Sequence, residues 1–181
     1  FSVHAHAQFD PNWGYINATE SDSLMRTVEL ENNDTLRMDA YGKLAFYFED
    51  LDEDYSLTFY ERQREIAIKL NFRLWEADAL RNIAERYFVS GNFKEAYETF
   101  QKALKIAEDK NSISPNWRAS KFANARSHEE ARITTLAIIY LQLGNFYRRI
   151  QSVEKAKASY NKSLELGESV KNGKIISLYY L

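Results

Sequence analysis

The chain contains no cysteine, which excludes thiol catalysis, disulfide cross-links and cysteine-based metal sites. It has three histidines, His4, His6 and His128, and two of them fall in the first six residues. A histidine metal site or general base therefore has little to draw on. Two prolines and six glycines leave few residues that break regular structure. No phosphate-cradling glycine loop and no G-x-S-x-G elbow occurs. Charge of one sign is also missing: the formal net charge of −2 gives no reason to expect a nucleic-acid partner. No apolar run approaches the roughly 18 residues of a membrane span. The sequence thus offers no catalytic, cofactor or metal motif. What it has is 45% hydrophobic and 14% aromatic residues, enough to exclude disorder and build a core.

The most informative stretch is 80–106, LRNIAERYFVSGNFKEAYETFQKALKI. Leu80, Ile83, Ala84 and Tyr87 recur at spacings of three and four, as do Ala96, Phe100, Ala103, Leu104 and Ala107. Between these two amphipathic runs lies Ser90-Gly91-Asn92. Gly91 can take the left-handed conformation that ends a helix, and Asn92 with Glu95 is a capping-box signal for the next. The stretch predicts a helical hairpin. Its small residues Ala84, Ala96 and Ala103 lie where the helices approach, with Tyr87 and Phe100 filling the space beside them.

The pattern returns as Tyr140-x-x-Leu143-Gly144-x-x-Tyr147, then Ala156-x-x-x-Tyr160-x-x-Ser163-Leu164. A degenerate copy runs upstream through Leu44, Tyr47, Ser56 and Tyr60. This series resembles the tetratricopeptide repeat, whose pattern is W-x2-L-G-x2-Y, A-x3-F, then P. The family proline is replaced by Ile68, Glu108 and Glu168, so each second helix can run longer. Tyr60 and Phe100 are 40 residues apart, against about 34 in the family. The resemblance implies an all-α fold: a right-handed superhelix of about three antiparallel helix pairs, with repeats near 37–70, 77–110 and 137–170. A short helix capped by Ser21 or Ser23 is expected within an N-terminal extension, 8–36. A further helix, cut short, is expected after Asn172-Gly173 in the apolar stretch Ile175 to Leu181.

In this family the first helix of each repeat lines a groove that holds a peptide or protein. Carried over from the anchors, that groove would present Tyr41, Ala45, Phe48 and Glu49 from repeat one. Repeat two would add Asp78, Arg81, Asn82, Glu85 and Phe88, and repeat three Leu141, Asn145, Arg148 and Arg149. Arg81, Asn145, Arg148 and Arg149 could form a partial carboxylate clamp. The alternative for Phe48 and Phe88 is packing against the neighbouring repeat.

Other features are weighed beside this one. Ala5-His6-Ala7 before Gln8 fits the cleavage site of a secretory leader, with residues 1–7 as its remnant; the alternative is an arbitrary chain end. The short helix ending at Asn33-Asp34-Thr35-Leu36-Arg37 and followed by tetratricopeptide-like pairs resembles the exported sensor region of Bacteroidetes-type signalling proteins, histidine kinases or regulators with a DNA-binding tail. That resemblance implies a periplasmic input domain with a protein or peptide ligand. A cytoplasmic adaptor is the second expectation, and a homodimer joined through Ile175 to Leu181 the third. Asp50, Asp52, Asp54 and Glu61 have calcium-loop spacing, but Tyr55 occupies the glycine position and the repeat places 56–61 in a helix. Asn17-Ala18-Thr19 fits a glycosylation acceptor, a short pattern that arises easily by chance. The insertion at 111–128 interleaves Pro115, Trp117, Arg118, Lys121, Phe122, Arg126 and His128, as a loop or as a surface for an acidic partner. Glu129-Glu130 fits the acidic first turn of a helix better than a catalytic acid pair.

Overall fold

The computed structural model describes residues 16–113 and 125–172. Within them lie seven α-helices: α1 (Ala18–Leu30), α2 (Asp34–Phe48), α3 (Glu53–Lys69), α4 (Arg73–Val89), α5 (Phe93–Glu108), α6 (His128–Arg149) and α7 (Val153–Ser169). A single 3-10 turn, Lys110–Ser112, follows α5, and the described residues contain no strand. The fold is all-α, a tetratricopeptide-like helical superhelix built from the pairs α2/α3, α4/α5 and α6/α7. Each pair packs on the next through α3 against α4 and α5 against α6, while α1 covers α2.

Two kinds of helix start occur, and backbone geometry separates them. Asn17, Asn33, Asp52 and Ser127 have extended backbones, and each side chain accepts a hydrogen bond from a first-turn N–H. Asn17 and Glu20 form a reciprocal capping box, so α1 begins at Ala18 rather than after Ser21 or Ser23. Phe72, Asn92 and Ser152 make no side-chain cap. Asn92 therefore starts α5 where expected, but without the expected capping bond.

The reason lies in the preceding turn. The N–H groups of Phe72, Asn92, Ser152 and Asn172 donate to the carbonyls of Ala67, Tyr87, Tyr147 and Gly167, each at 2.8 Å. Just before them, Asn71, Gly91, Gln151 and Lys171 have φ of 55°, 82°, 59° and 55°. This is the Schellman arrangement, in which a left-handed residue closes the helix. One residue then ends the old helix and begins the new one. Its ψ, between 65° and 75° in the three turns that lead into a described helix, departs from the extended backbone of the four side-chain-capped starts.

Such turns, rather than a proline, end the second helices α3 and α7, whereas α5 ends at Asp109 in extended backbone. α3 stops at Lys69, α5 at Glu108 and α7 at Ser169, within one residue of the family's proline position. The expected lengthening at that end is therefore at most a residue. The 40-residue step comes instead from the first turn of α4, where Arg73 to Glu76 precede the repeat at 77.

The core forms a row of clusters rather than one centre. Met38, Leu44, Tyr60, Leu74 and Trp75 are the heart of the first. Leu80, Ala84, Phe100, Ala103, Ile139 and Leu143 form the second. α4 serves both and is buried almost continuously from Leu74 to Arg86. The expected C-terminal helix at 175–181, the leader remnant at 1–7 and most of the insertion at 111–128 lie outside the described residues.

Candidate functional site

The face built from α2, α4 and α6 is the one expected to hold a partner. In α4 it is a buried polar row: Asp78, Arg81, Asn82 and Glu85 are each at most 9% exposed. Arg81 donates through Nε (2.9 Å) and Nη2 (2.7 Å) to Asp78 Oδ1. Burial opposes the arginine's charge, but the Asp78 carboxylate more than offsets that and raises its pKa. Arg81 is thus taken up inside the chain.

A second buried polar group ties repeat one to repeat two. The Tyr60 hydroxyl donates to Glu49 Oε1 at 2.7 Å. Arg86 Nη2 lies 3.6 Å from Glu49 Oε2, and its Nη1 donates to the Glu49 carbonyl at 3.4 Å. Burial, then the Glu49 charge, pushes the Tyr60 phenol well above its usual pKa. Glu49 was expected in the groove; Tyr60 and Arg86 were missed as its partners. The only signal was a tyrosine where the family has phenylalanine, which brings a hydroxyl into the core that needs an acceptor.

The aromatic candidates pack between helices. Phe48 lies 5.1 Å from Tyr47, 5.5 Å from Tyr55 and 5.7 Å from Phe59, centroid to centroid. Half-buried Tyr41 lies 6.0 Å from Phe59. Phe88 meets Phe93 at 6.1 Å and Phe146 at 6.0 Å. Phe88 thus packs against the neighbouring pair through Phe146, whereas the ring contacts of Phe48 lie within its own pair.

In α6, Asn145 Oδ1 accepts the Tyr160 hydroxyl at 2.9 Å, and Leu141 is buried. Arg148 and Arg149 are exposed. Of the four groups proposed for a carboxylate clamp, Arg81 is taken up by Asp78, while Arg148, Arg149 and the amide donor of Asn145 remain. Large exposed hydrophobics gather nearby: among the described residues, Leu51, Tyr55, Val89, Phe93, Tyr97, Ile150 and Val153 account for seven of ten. All seven lie where the first helix of a pair turns into the second, so that edge is the most apolar part of the surface.

The remaining acidic and basic candidates serve structure. Asp52 caps α3 through Tyr55 N–H (3.0 Å), and Glu61 lies within the helix, away from any wrapped loop. No group of three or more metal-ligating side chains occurs among the described residues. Glu129 accepts from Arg132 Nε (2.9 Å) and Nη2 (2.7 Å), while Arg132 Nη1 donates to the Ala107 carbonyl at 2.9 Å. Glu130 accepts from Arg126 Nε at 2.9 Å, and Arg126 Nη2 donates to the Val170 carbonyl at 3.2 Å. These arginine hydrogen bonds hold both glutamates below the usual carboxylate pKa. Neither is poised as a general acid. No described helix is long and apolar enough to cross a membrane.

Comparison with known proteins follows the same lines. Residues 77–110 match one tetratricopeptide-repeat family model and 137–168 match another. No curated protein sequence matches. Among solved structures, the chain is similar to BtubC (BKLC) from P. vanneervenii, with a TM-score of 0.58 and 18% identity. That alignment covers 82% of this chain and 53% of the other, so the chain spans about half the length of that protein. At this identity the likeness is one of fold. The two repeat matches fall on α4/α5 and α6/α7, so these helix pairs are tetratricopeptide repeats.

Proposed function

We propose that this chain is a non-catalytic module that binds a protein or peptide, and that it is the extracytoplasmic input region of a two-component signalling protein. The binding role is carried by one observation, the pair of tetratricopeptide repeats. The contact surface consists of exposed Arg148 and Arg149 beside the apolar edge at Val89, Phe93, Ile150 and Val153. Such a surface suits a segment with apolar side chains and a carboxylate, which an arginine pair can hold by charge-assisted hydrogen bonds. Asp78 and Arg81 serve the scaffold beneath it. The export part of the proposal rests on the small-x-small pattern Ala5-His6-Ala7 before Gln8. Signalling requires that the partner bind two arrangements of the repeats with different affinity.

Peptide display against the immobilised chain tests the first part. Recovered peptides are expected to share an acidic group flanked by apolar residues, and to bind about tenfold more weakly to Arg148→Glu/Arg149→Glu. Equal affinity for both proteins would remove the arginines from the site. Cell fractionation with intact-mass measurement tests the second part. A product beginning at Gln8 and recovered outside the cytoplasm supports export. A cytosolic product that retains the N-terminal segment leaves a tethering adaptor.

A further inference from the structure

An open cleft of about 380 Å³ lies where α3 and α5 end and α4 begins. Arg64, Arg73, Lys102 and Lys105 surround it, and Leu80 and Ile106 supply its apolar lining. Two carboxylates also face it, Glu76 and Asp109, leaving a net of two positive charges in a protein that is negative as a whole. One carboxylate caps a turn and the other stands beside a cation of the cleft itself. Asp109 Oδ1 accepts the Asn111 N–H at 2.9 Å and so caps the 3-10 turn. Glu76 Oε1 stands 3.9 Å from Arg64 Nη2, at the limit of an ion pair.

The cations are less well matched. Arg73, Lys102 and Lys105 form no ion pair among the described residues. Arg64 Nε is shielded from solvent and has no hydrogen-bond partner. Lys105 near the C-terminus of α5 offsets the negative end of that helix, which accounts for one of the four. Arg73 lies at the opposite kind of end, in the first turn of α4, where Glu76 is the acidic residue and also the carboxylate nearest Arg64. The cleft volume falls within the range of small-molecule sites.

We propose that this cleft binds a small organic dianion. Its acidic groups lie among Arg73, Lys102 and Lys105, and its apolar body rests on Leu80 and Ile106. Phosphate monoesters and dicarboxylates share this chemistry. The site lies at the edge where first helices begin, whereas Arg148 and Arg149 stand where one ends, so it is independent of the peptide surface proposed above.

Isothermal titration of the whole chain tests it, using phenyl phosphate, phthalate, inorganic phosphate and benzyl alcohol at matched ionic strength. Phenyl phosphate or phthalate is expected to bind one-to-one, more tightly than inorganic phosphate, with benzyl alcohol silent. The tighter of the two organic anions identifies the acidic group. Lys102→Ala/Lys105→Ala is expected to weaken binding about fivefold or more, and added salt to weaken it further. Both lysines are exposed on α5, so the variant keeps the core intact; Lys157→Ala, an exposed lysine on α7, is the control and is expected to bind like the unaltered chain. The proposal is overturned if no organic anion saturates, or if inorganic phosphate binds equally well. It is also overturned if the lysine pair and the control behave alike, or if only an acidic peptide such as acetyl-EEDEE-amide binds.

Discussion

Gly144 on α6 lies directly under the ring of Tyr160 on α7. A Cβ at position 144 would stand 2.5 Å from Tyr160 Cδ1 and 3.0 Å from Cζ. The ring is held there by its hydroxyl, bonded to Asn145. Gly144→Ala is therefore expected to destabilise the chain by about 1–3 kcal/mol, because the ring has to leave its site or the helices have to part. Urea unfolding of the variant measures it. An unchanged midpoint would mean that the α6/α7 contact is looser than the ring position implies.

The left-handed turns give predictions of opposite sign. Gln151 pays the steric cost of φ near 59° without glycine's freedom, so Gln151→Gly is expected to stabilise by about 0.5–1 kcal/mol. Gly91→Ala, at φ 82°, is expected to cost about 1 kcal/mol, although nothing lies within 4 Å of the added carbon. Thermal melts of the two variants should move in opposite directions.

Alkaline stability is set by buried phenols. Burial and Glu108 raise the pKa of Tyr140 to about 12; burial and the Tyr97 hydroxyl raise Tyr147 to about 12. A folded-state pKa above the unfolded value of about 10 favours the neutral phenol in the native state. Stability from these groups is thus complete below pH 10 and is lost as pH rises from 10 toward 12. Phenolate absorbance is expected to appear late in the folded chain, and Tyr140→Phe to soften the alkaline loss. An ordinary titration of all tyrosines near pH 10 in the folded chain would contradict the burial described.

Acid has the converse effect through Glu129 and Glu130, whose pKa values are lowered by Arg132 and Arg126. Their contribution is present above the unfolded carboxylate value and fades as pH falls through the lowered folded values. Glu129→Gln is expected to lower stability at neutral pH and, by the same amount, to flatten the acid side of the profile, with a smaller neutral-pH loss than Arg132→Ala. The latter also removes the bond to the Ala107 carbonyl and is expected to cost about 1–3 kcal/mol.

The helix pairs were legible because their apolar spacing is strong: the recurrence of Ala96 and Phe100 in Ala156 and Tyr160 identifies the repeated helix and its contact face. Gly91 was legible as a left-handed residue. Asn71 carried a weaker version of that preference, but Gln151 and Lys171 carried none; the packing of successive helices imposes their backbone. That the expected groove residues sit on α2, α4 and α6 was legible, but their exposure was not. Whether Arg81 meets a ligand or Asp78, and whether Phe88 meets solvent or Phe146, depends on how closely neighbouring helices pack around α4. Nothing in a single sequence records that distance. The basic cleft draws on three helices and has no spacing signature at all.

Three-residue turns join α3 to α4, α4 to α5 and α6 to α7, so the chain makes no distinction there between a joint inside a repeat and one between repeats. The passage from α5 to α6 differs: it is long, and side chains bridge it. Arg132 reaches the Ala107 carbonyl, and the Tyr140 hydroxyl donates to Glu108 Oε1 at 3.0 Å. These bonds flank the apolar cluster in which Leu80 and Phe100 meet Ile139 and Leu143, so a long connection in the chain is matched by a continuous core in space. A chain cut within that connection is therefore expected to stay assembled, its two pieces held by side chains alone.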